Sequence, residues 1–269
     1  MKQHLIVLDL DGTLLTDQKV ISPKTKQTLF KAVEAGHRVM IATGRPYRSS
    51  EPYYKELQLN TPIVNFNGAF VHHPIDNSWG LYHTPISLDV VHEVVESMHD
   101  FNFHNIVAEV LDDVYVHHHD EKLMDIFRFG DPQITTGDLR NYLKVDPTSM
   151  LIHAPVEKVQ LIHDHLTSVH AEVIDHRRWG APWHVIEIVK SGLSKAVGLD
   201  QVSKSLGIAK ENIIAFGDED NDLEMIDFAG VGVAMGNAID PLKNIANEIT
   251  LSNNEDGIAE LLIDRLKLK

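Results

Sequence analysis

The sequence contains no cysteine. Disulfides, thiolate zinc sites and a cysteine nucleophile are therefore excluded. It also has no apolar run of the roughly 18 residues that a transmembrane helix needs, so we expect no membrane partner. The opening stretch, MKQHLIVLDLD, becomes acidic too early for a secretory signal peptide. We expect a cytoplasmic protein.

Cations are scarce relative to anions. The 269 residues include 24 lysines and arginines against 39 aspartates and glutamates, which gives a formal net charge of −15. A field of this sign repels nucleic acid, so we expect no nucleic-acid partner. A small anionic substrate stays compatible, because one local cation can override the average field. Hydrophobic residues make up 43% of the chain, which is typical of a folded globular protein.

The most informative stretch is HLIVLDLDGTLL, residues 4–15. Its apolar run predicts a buried strand, and Asp9 and Asp11 follow at the carboxyl end of that strand. Because they are two residues apart, their side chains point to the same side. Gly12 allows a tight turn that brings the backbone close to a ligand. An Asx turn would give the same local pattern, but a calcium loop would not, because Leu14 stands where that loop requires glycine.

Strands and helices alternate along residues 1–83 and again along residues 190–269, which is typical of a parallel sheet covered by helices. Residues 84–189 break this alternation and contain hairpin and helix patterns in mixed order. We therefore predict an α/β fold with a Rossmann-like, doubly wound parallel-sheet core, residues 1–83 and 190–269. An α+β domain, residues 84–189, is inserted into this discontinuous core.

Polar residues follow three predicted core strands. Asp9 and Asp11 follow the first strand, Thr43 follows the second, and GDEDND, residues 217–222, follows a later one. Ligands of open parallel sheets bind at the carboxyl edge, where these residues meet. Two carboxylates at 4 Å repel each other by about 4 kcal/mol at an effective dielectric constant near 20, so a cation is required. Oxygen donors without cysteine or histidine indicate Mg²⁺.

Five motifs then occur in a set order: DLDGTLL, IATGR, NGA at Asn67 to Ala69, SK at Ser194 and Lys195, and GDEDND. Together they resemble the haloacid dehalogenase-like phosphatases, specifically the Cof-type branch with a large α/β cap inserted between the second and third motifs. The resemblance spans the whole chain. It implies a Mg²⁺-dependent phosphatase of small phosphorylated metabolites, such as sugar phosphates, nucleotides or phosphorylated cofactors.

The resemblance also implies roles for individual residues. Asp9 would be the nucleophile that forms an aspartyl-phosphate, and Asp11 would act as general acid and base. Mg²⁺ would be held by the Asp9 carboxylate, the Asp11 backbone carbonyl and Asp218, while Asp222 would support the site from outside or through water. The groups implied to bind phosphate oxygens are the Leu10 amide, the Thr43 hydroxyl, the Gly44 amide, Lys195 and Asn221.

Some positions allow two interpretations. Lys190 competes with Lys195 for the motif lysine, and Ser194 followed by a predicted helix favours Lys195. Arg45 either reaches the substrate or braces the inserted domain. The stretch RRWGAPWH, residues 177–184, either binds a second phosphate or ring, or forms a turn with buried tryptophans. Glu187 either binds a substrate hydroxyl or forms a structural ion pair.

Three other functions stay open at this stage. A phosphomutase of the same superfamily would return the phosphoryl group to its substrate instead of releasing phosphate. A signalling receiver domain also uses a phospho-accepting aspartate, a threonine and a lysine, although it needs only one domain's length. A non-catalytic phosphate-binding module is disfavoured, because Asp9 and Asp11 are both present.

Overall fold

The structure is a computed structural model that describes residues 2–170, 174–178 and 185–268. By its internal contacts the chain divides into two compact units. The first comprises Met1–Arg45, Ser50–Leu81 and Ser194–Lys269, and the second comprises Pro46–Ser49 and Tyr82–Leu193. The predicted substrate-binding or turn segment at residues 177–184 lies outside the described residues from position 179 onward.

Strands and helices alternate over most of the chain. The described strands are β1 (Leu5–Leu8), β2 (Arg38–Ile41), β3 (Ile63–Asn65), β4 (Phe70–His72), β5 (Leu81–His83), β6 (Asn105–Val110), β7 (Asp113–Val116), β8 (Ile134–Thr136), β9 (Ser149–His153), β10 (Ile174–Arg178), β11 (Val185–Lys190), β12 (Ile213–Gly217), β13 (Val231–Ala234) and β14 (Glu248–Ile249). The described α-helices are α1 (Pro23–Glu34), α2 (Tyr47–Glu56), α3 (Leu88–Glu96), α4 (Met98–Phe101), α5 (Glu121–Phe127), α6 (Leu139–Tyr142), α7 (Val159–His170), α8 (Lys195–Ser205), α9 (Leu223–Phe228), α10 (Asp240–Ile245) and α11 (Gly257–Leu266).

The first unit is built on a five-stranded sheet in the order β14-β13-β12-β1-β2. Every pairing in this sheet is parallel. All four residues of β1 are buried, because a parallel sheet with helices on both faces needs continuously apolar strands. Helix α1 packs against α11, and α8 packs against α9. The predicted α/β class with a parallel-sheet core is confirmed.

Two serine side chains cap the starts of helices in this unit. The Ser22 hydroxyl accepts a hydrogen bond from the Thr25 amide at 3.1 Å, and Pro23 is the first residue of α1. The Ser194 hydroxyl accepts from the Val197 amide at 3.4 Å and so caps α8. This second cap defines the start of the helix whose first residue is Lys195.

Strand β3 joins the parallel sheet at one point only and forms a hairpin with β4, as the turn signal Asn67-Gly68 after the third strand predicts. A single parallel bridge joins Ala42 to Val64, beyond the end of β2. Otherwise β3 pairs antiparallel with β4, in a three-stranded sheet of order β3-β4-β5. The cause is the turn at residues 66–68, which reverses the chain directly after Asn65.

The second unit contains a separate six-stranded sheet in the order β10-β11-β9-β6-β7-β8. All of its pairings are antiparallel except β7 with β8. Alternate residues of β6 belong to different apolar clusters: Ile106 is in the cluster that includes Val91 of α3, and Val107 is in the one that includes Leu123 of α5. This is the predicted α+β architecture. No helix in the described part of the chain is long and apolar enough to cross a membrane.

A buried ion pair lies within the second unit. Arg48 donates a hydrogen bond to Glu109, and the two residues are only 7% and 4% exposed. The Ser149 hydroxyl also donates to Glu109, at 3.2 Å. Burial raises the pKa of Glu109, and the charge of Arg48 opposes that rise. Glu109 therefore serves as the charge partner of a cation that is removed from water.

We predict that Glu109→Ala lowers the free energy of unfolding by about 3–5 kcal/mol, because it leaves the Arg48 guanidinium buried without its partner. Urea-induced unfolding measures this loss. The matched control is Glu121→Ala, which also removes a glutamate but from an exposed position on α5, and it should change stability by less than about 1 kcal/mol. Equal effects of the two substitutions would contradict the structural role of the buried pair.

Candidate active site

The register of the parallel sheet brings the candidate residues to one edge. Leu8 aligns with Phe216 on one side and with Ile41 on the other. The Asp9 amide continues the β1–β12 pairing by donating to the Phe216 carbonyl at 3.2 Å. Asp9, the loop after β2 and Asp218 therefore leave the sheet side by side, as the sequence predicts.

Lys195 lies at the centre of this edge. Its ammonium nitrogen is 2.6 Å from Asp9 Oδ1 and 2.7 Å from Asp222 Oδ1. Lys195 and Asp222 are completely buried, and Asp9 is 5% exposed. Burial acts to lower the pKa of Lys195, but the two carboxylates outweigh it and raise that pKa. The lysine is therefore a fixed positive charge in the site.

Asp218 is held beside this group by Thr13, whose hydroxyl donates to Asp218 Oδ1 at 2.7 Å. Burial raises the pKa of Asp218 to about 7, helped by repulsion from Asp222 and opposed by the Thr13 hydrogen bond and by Lys195. Burial also raises the pKa of Asp9 well above its usual range, despite the neighbouring lysine. The cluster thus holds more negative charge than Lys195 can balance.

The donor set fits a hard divalent cation. Carboxylate oxygens of Asp9, Asp218 and Asp222 lie within 4.8 Å of one another, and no other group of this kind occurs in residues 2–170, 174–178 and 185–268. All three donors are oxygens, which Mg²⁺ prefers. A bound cation would also stabilise the charged forms of Asp9 and Asp218, whose pKa values are raised first by burial and then by repulsion from neighbouring carboxylates.

Asp222 already has partners for both of its carboxylate oxygens. Oδ1 accepts from Lys195, and Oδ2 accepts from the amides of Asp218 at 2.9 Å and Glu219 at 3.2 Å. The carboxylate therefore fixes the loop after β12 and orients the lysine. This geometry fits the supporting role that the sequence predicts for Asp222 and leaves Asp9 and Asp218 as the more available metal ligands.

Gly12 lets the chain pass close to Asp218. Its φ of +75° lies in the left-handed region, and a Cβ at this position would collide with the Asp218 carboxylate. The Gly12 carbonyl accepts a hydrogen bond from Asn237 Nδ2 at 2.8 Å. The glycine in the DLDGT motif is therefore required both by the backbone conformation and by the space that the acid occupies.

The Asp11 side chain does not join the carboxylate cluster. Arg45 donates to both of its oxygens, with Nε to Oδ2 and Nη2 to Oδ1 each at 2.6 Å, and Lys19 Nζ lies 2.7 Å from Oδ1. Burial acts to raise the pKa of Asp11, but these two cations outweigh it and lower the pKa to about 2. Asp11 is thus an ionised carboxylate held by two cations.

Four of the five groups predicted to bind phosphate, all except the ion-paired Lys195, keep a proton that no acceptor in the described residues takes up. Within the described ranges the amides of Leu10 and Gly44 have no hydrogen-bond acceptor. The buried Thr43 hydroxyl accepts from the Arg45 amide at 3.1 Å, which leaves its proton free. Asn221 donates one of its two amide protons to Asn67 Oδ1 at 3.1 Å. Each of these four groups therefore keeps a donor for an anion.

Three polar residues of the site were not assigned roles from the sequence. Thr13 belongs to the DLDGT motif, and this membership could have indicated a role in the site. Its partner Asp218 is 205 positions away in the sequence, so no local pattern predicts the contact. Asn67 follows the predicted third strand and is interpreted from the sequence as part of a hairpin turn. Asn237 Nδ2 lies 3.5 Å from Asp218 Oδ2, and no local pattern marks it.

With this geometry in hand, comparisons identify the family. Residues 6–262 match the haloacid dehalogenase-like hydrolases. The chain belongs to this family. Over 267 residues it is 59% identical to the 5-amino-6-(5-phospho-D-ribitylamino)uracil phosphatase YitU of Bacillus subtilis (strain 168), with 99% of each chain covered. It is 30% identical over 279 residues to the pyridoxal phosphate phosphatase YbhA of Escherichia coli (strain K12), with 99% of this chain and 100% of that protein covered.

Solved structures of haloacid dehalogenase-like hydrolases have the same fold as this chain. A haloacid dehalogenase-like hydrolase from Bacteroides thetaiotaomicron superposes with a TM-score of 0.85 at 31% identity, covering 98% of this chain and 100% of that chain. The resemblance inferred from the five motifs is therefore confirmed. As a haloacid dehalogenase-like hydrolase, the protein is an enzyme of the phosphatase type.

Because the pKa of Asp218 is raised to about 7, we predict that the stabilisation of the protein by Mg²⁺ depends on pH. A carboxyl with a raised folded-state pKa binds its proton more tightly in the folded protein, so this group's contribution to metal-free stability falls as pH rises from about 4 towards 7. A Mg²⁺ ion bound by this carboxylate would compete with that proton. The increase in Tm caused by Mg²⁺ should therefore be larger at about pH 8 than at about pH 6.

Thermal unfolding with and without Mg²⁺ measures this difference. Asp218→Asn should greatly reduce the increase in Tm at both pH values. The matched control, Asp220→Asn, removes the same charge from an exposed position in the same loop and should behave as wild type. A wild-type increase that is the same at both pH values would contradict the assignment.

Proposed function

We propose that the protein is a Mg²⁺-dependent phosphatase that hydrolyses small phosphomonoesters through an aspartyl-phosphate on Asp9. The observation that carries this proposal is the buried contact of Asp9 with Lys195, at 2.6 Å, inside a cluster of three carboxylates. An aspartate that is held by a lysine and close to a metal-binding acid is suited to attack an anionic phosphorus centre, because the cations offset the charge repulsion.

In the first step, Asp9 Oδ attacks phosphorus, an acyl-phosphate bond forms and the bond to the leaving alkoxide breaks. Lys195 stabilises the negative charge on the phosphoryl oxygens while it stays hydrogen-bonded to Asp9. In the second step, water attacks phosphorus and releases inorganic phosphate, which regenerates the Asp9 carboxylate. Both steps develop charge on the same oxygens, so one arrangement of donors serves both.

Asp11 is proposed to donate a proton to the leaving alkoxide and then to accept one from the attacking water. With Arg45 and Lys19 bound to it, Asp11 is ionised and is suited to the second of these tasks. The first task requires a protonated Asp11. We propose that substrate binding draws the two cations from Asp11 towards the substrate's own negative charge, which allows the carboxyl to take up a proton.

Mg²⁺ would be held by the Asp9 carboxylate, the Asp11 backbone carbonyl and Asp218, with Asp222 supporting the loop. When bound, it would neutralise charge on the phosphoryl oxygens and the carboxylates. The proposed phosphate donors are the Leu10 amide, the Thr43 hydroxyl, the Gly44 amide, Lys195 and Asn221. The donors left available on Leu10, Thr43, Gly44 and Asn221 support the assignment.

The first substrate to test is 5-amino-6-(5-phospho-D-ribitylamino)uracil. The support is the 59% identity, across nearly the whole of both chains, to a phosphatase named for that compound.

We further propose that residues 1–83 and 190–269 form the catalytic core and that residues 84–189 act as a substrate-selecting cap. A cytoplasmic location suits a substrate that is a small phosphorylated metabolite.

The test measures inorganic phosphate released from 5-amino-6-(5-phospho-D-ribitylamino)uracil, from pyridoxal phosphate and from p-nitrophenyl phosphate. We expect release with Mg²⁺, little release with EDTA, and the highest kcat/KM for the first compound. Asp9→Asn keeps the size of the side chain but removes the nucleophile, and should lower kcat by about a thousandfold or more.

The control variant Asp220→Asn should release phosphate at the wild-type rate. Undiminished release by Asp9→Asn would contradict the assigned nucleophile. Consumption of substrate without release of inorganic phosphate would contradict the phosphatase and favour the phosphomutase.

A further inference from the structure

The turn after β3 has an unusual backbone. Phe66 and Asn67 both have left-handed φ angles, of +49° and +53°, although neither is glycine. A side chain in this conformation costs free energy, of the order of 1–3 kcal/mol for strained positions, and persists only where surrounding contacts enforce it. Two consecutive residues of this kind at the edge of a candidate active site indicate that the turn has a specific task.

Asn67 contacts the loops that follow two other strands. Its amide donates to the Thr43 carbonyl at 3.1 Å, and its side-chain Oδ1 accepts from Asn221 Nδ2 at 3.1 Å. Gly44 lies directly against the same carboxamide, since a Cβ at that position would be 3.2 Å from both terminal atoms. With 2% exposure, Asn67 is buried between the loop after β2 and the loop after β12.

The neighbours of Asn67 hold the same region. Asn65 Nδ2 donates to the Arg45 carbonyl and to the Ser50 hydroxyl, each at 2.9 Å. Gly68 packs so tightly on the Ser194 carbonyl that a Cβ would collide with it. The turn therefore contacts the segments that carry three groups of proposed phosphate donors, namely Thr43 with Gly44, Lys195, and Asn221.

We propose that Asn67 is a positioning residue for phosphate binding, and that its carboxamide fixes the Asn221 amide and the loop containing Thr43 and Gly44. This inference rests on the proposed function, because it concerns the same phosphate site. Asn221 has two Nδ2 protons, and the bond to Asn67 uses one of them and fixes the plane of the amide. The second proton then has a defined direction instead of rotating with the side chain.

Asn67→Gly tests the side chain separately from the backbone. Glycine adopts the left-handed conformation without strain, so the substitution removes the carboxamide and leaves the turn acceptable. We expect a Tm close to that of wild type, a kcat/KM for p-nitrophenyl phosphate with Mg²⁺ that is about tenfold lower, and an inhibition constant for inorganic phosphate that is raised by a similar factor. A purely structural role would change Tm and leave both constants unaltered.

The matched control is Asn102→Gly. Asn102 has the same φ of +53° but is exposed and lies in the second unit. It should match wild type in kcat/KM and in phosphate inhibition. If this control lost activity as Asn67→Gly does, the effect would belong to left-handed asparagines in general and the inference would be overturned.

A double-mutant cycle with Asn221→Ala tests whether the two side chains act as one unit. In the wild-type background this substitution should lower kcat/KM, and in the Asn67→Gly background it should have less than about a twofold further effect. Asn67→Asp keeps an oxygen that can accept from Asn221 Nδ2, and aspartate tolerates the left-handed backbone. In the Asn67→Asp background, Asn221→Ala should therefore again lower kcat/KM. If the glycine variant does not fold, Asn67→Ala, which also removes the carboxamide, takes its place.

Independent, multiplicative effects of the two substitutions would overturn the inference, as would an Asn67→Gly enzyme with wild-type constants. These failures differ from failure of the proposed function. In that case wild-type protein itself would release no phosphate from p-nitrophenyl phosphate with Mg²⁺, and the inference would be overturned together with the proposed function.

Discussion

The structure of the site depends on one ammonium group. Lys195 is completely buried and donates hydrogen bonds to the carboxylates of Asp9 and Asp222. The carboxylate of Asp218 lies in the same cluster. Like charges in a space that excludes water repel strongly, and a lysine alone does not balance three carboxylates. Burial raises the pKa values of Asp9 and Asp218, and repulsion between the carboxylates adds to that rise. A site built in this way favours both a divalent cation and an ordered lysine.

Much of the first unit serves to bring this group together. Parallel strands β1 and β12 place Asp9 and Asp218 at one edge, and the Ser194 cap starts helix α8 at the lysine. Gly12 gives room to the Asp218 carboxylate, and the left-handed turn at Asn67 links loops that carry proposed phosphate donors. Each of these features is local, and each contacts or begins at a residue of the proposed site.

The sequence predicts the parts of this account that depend on strand periodicity and on motif order. Asp9 and Asp218 follow buried strands, and Ser194 marks the helix start, so their convergence could be inferred before the structure. The ion pairs of Asp11 could not, because Arg45 and Lys19 reach it with long side chains from separate loops. The sequence indicates only a turn at Asn67, because its contacts with Thr43 and Asn221 depend on tertiary packing that no spacing encodes.

The most direct test of the central claim is to trap the phosphorylated enzyme. Protein mixed with substrate and Mg²⁺, quenched in acid during the first turnover and digested, should carry one added phosphoryl group on the peptide that contains Asp9, as measured by mass spectrometry. Formation of this peptide should be lost in Asp9→Asn. Release of phosphate during that turnover with no phosphorylated peptide, or with the group on another residue, would contradict the account.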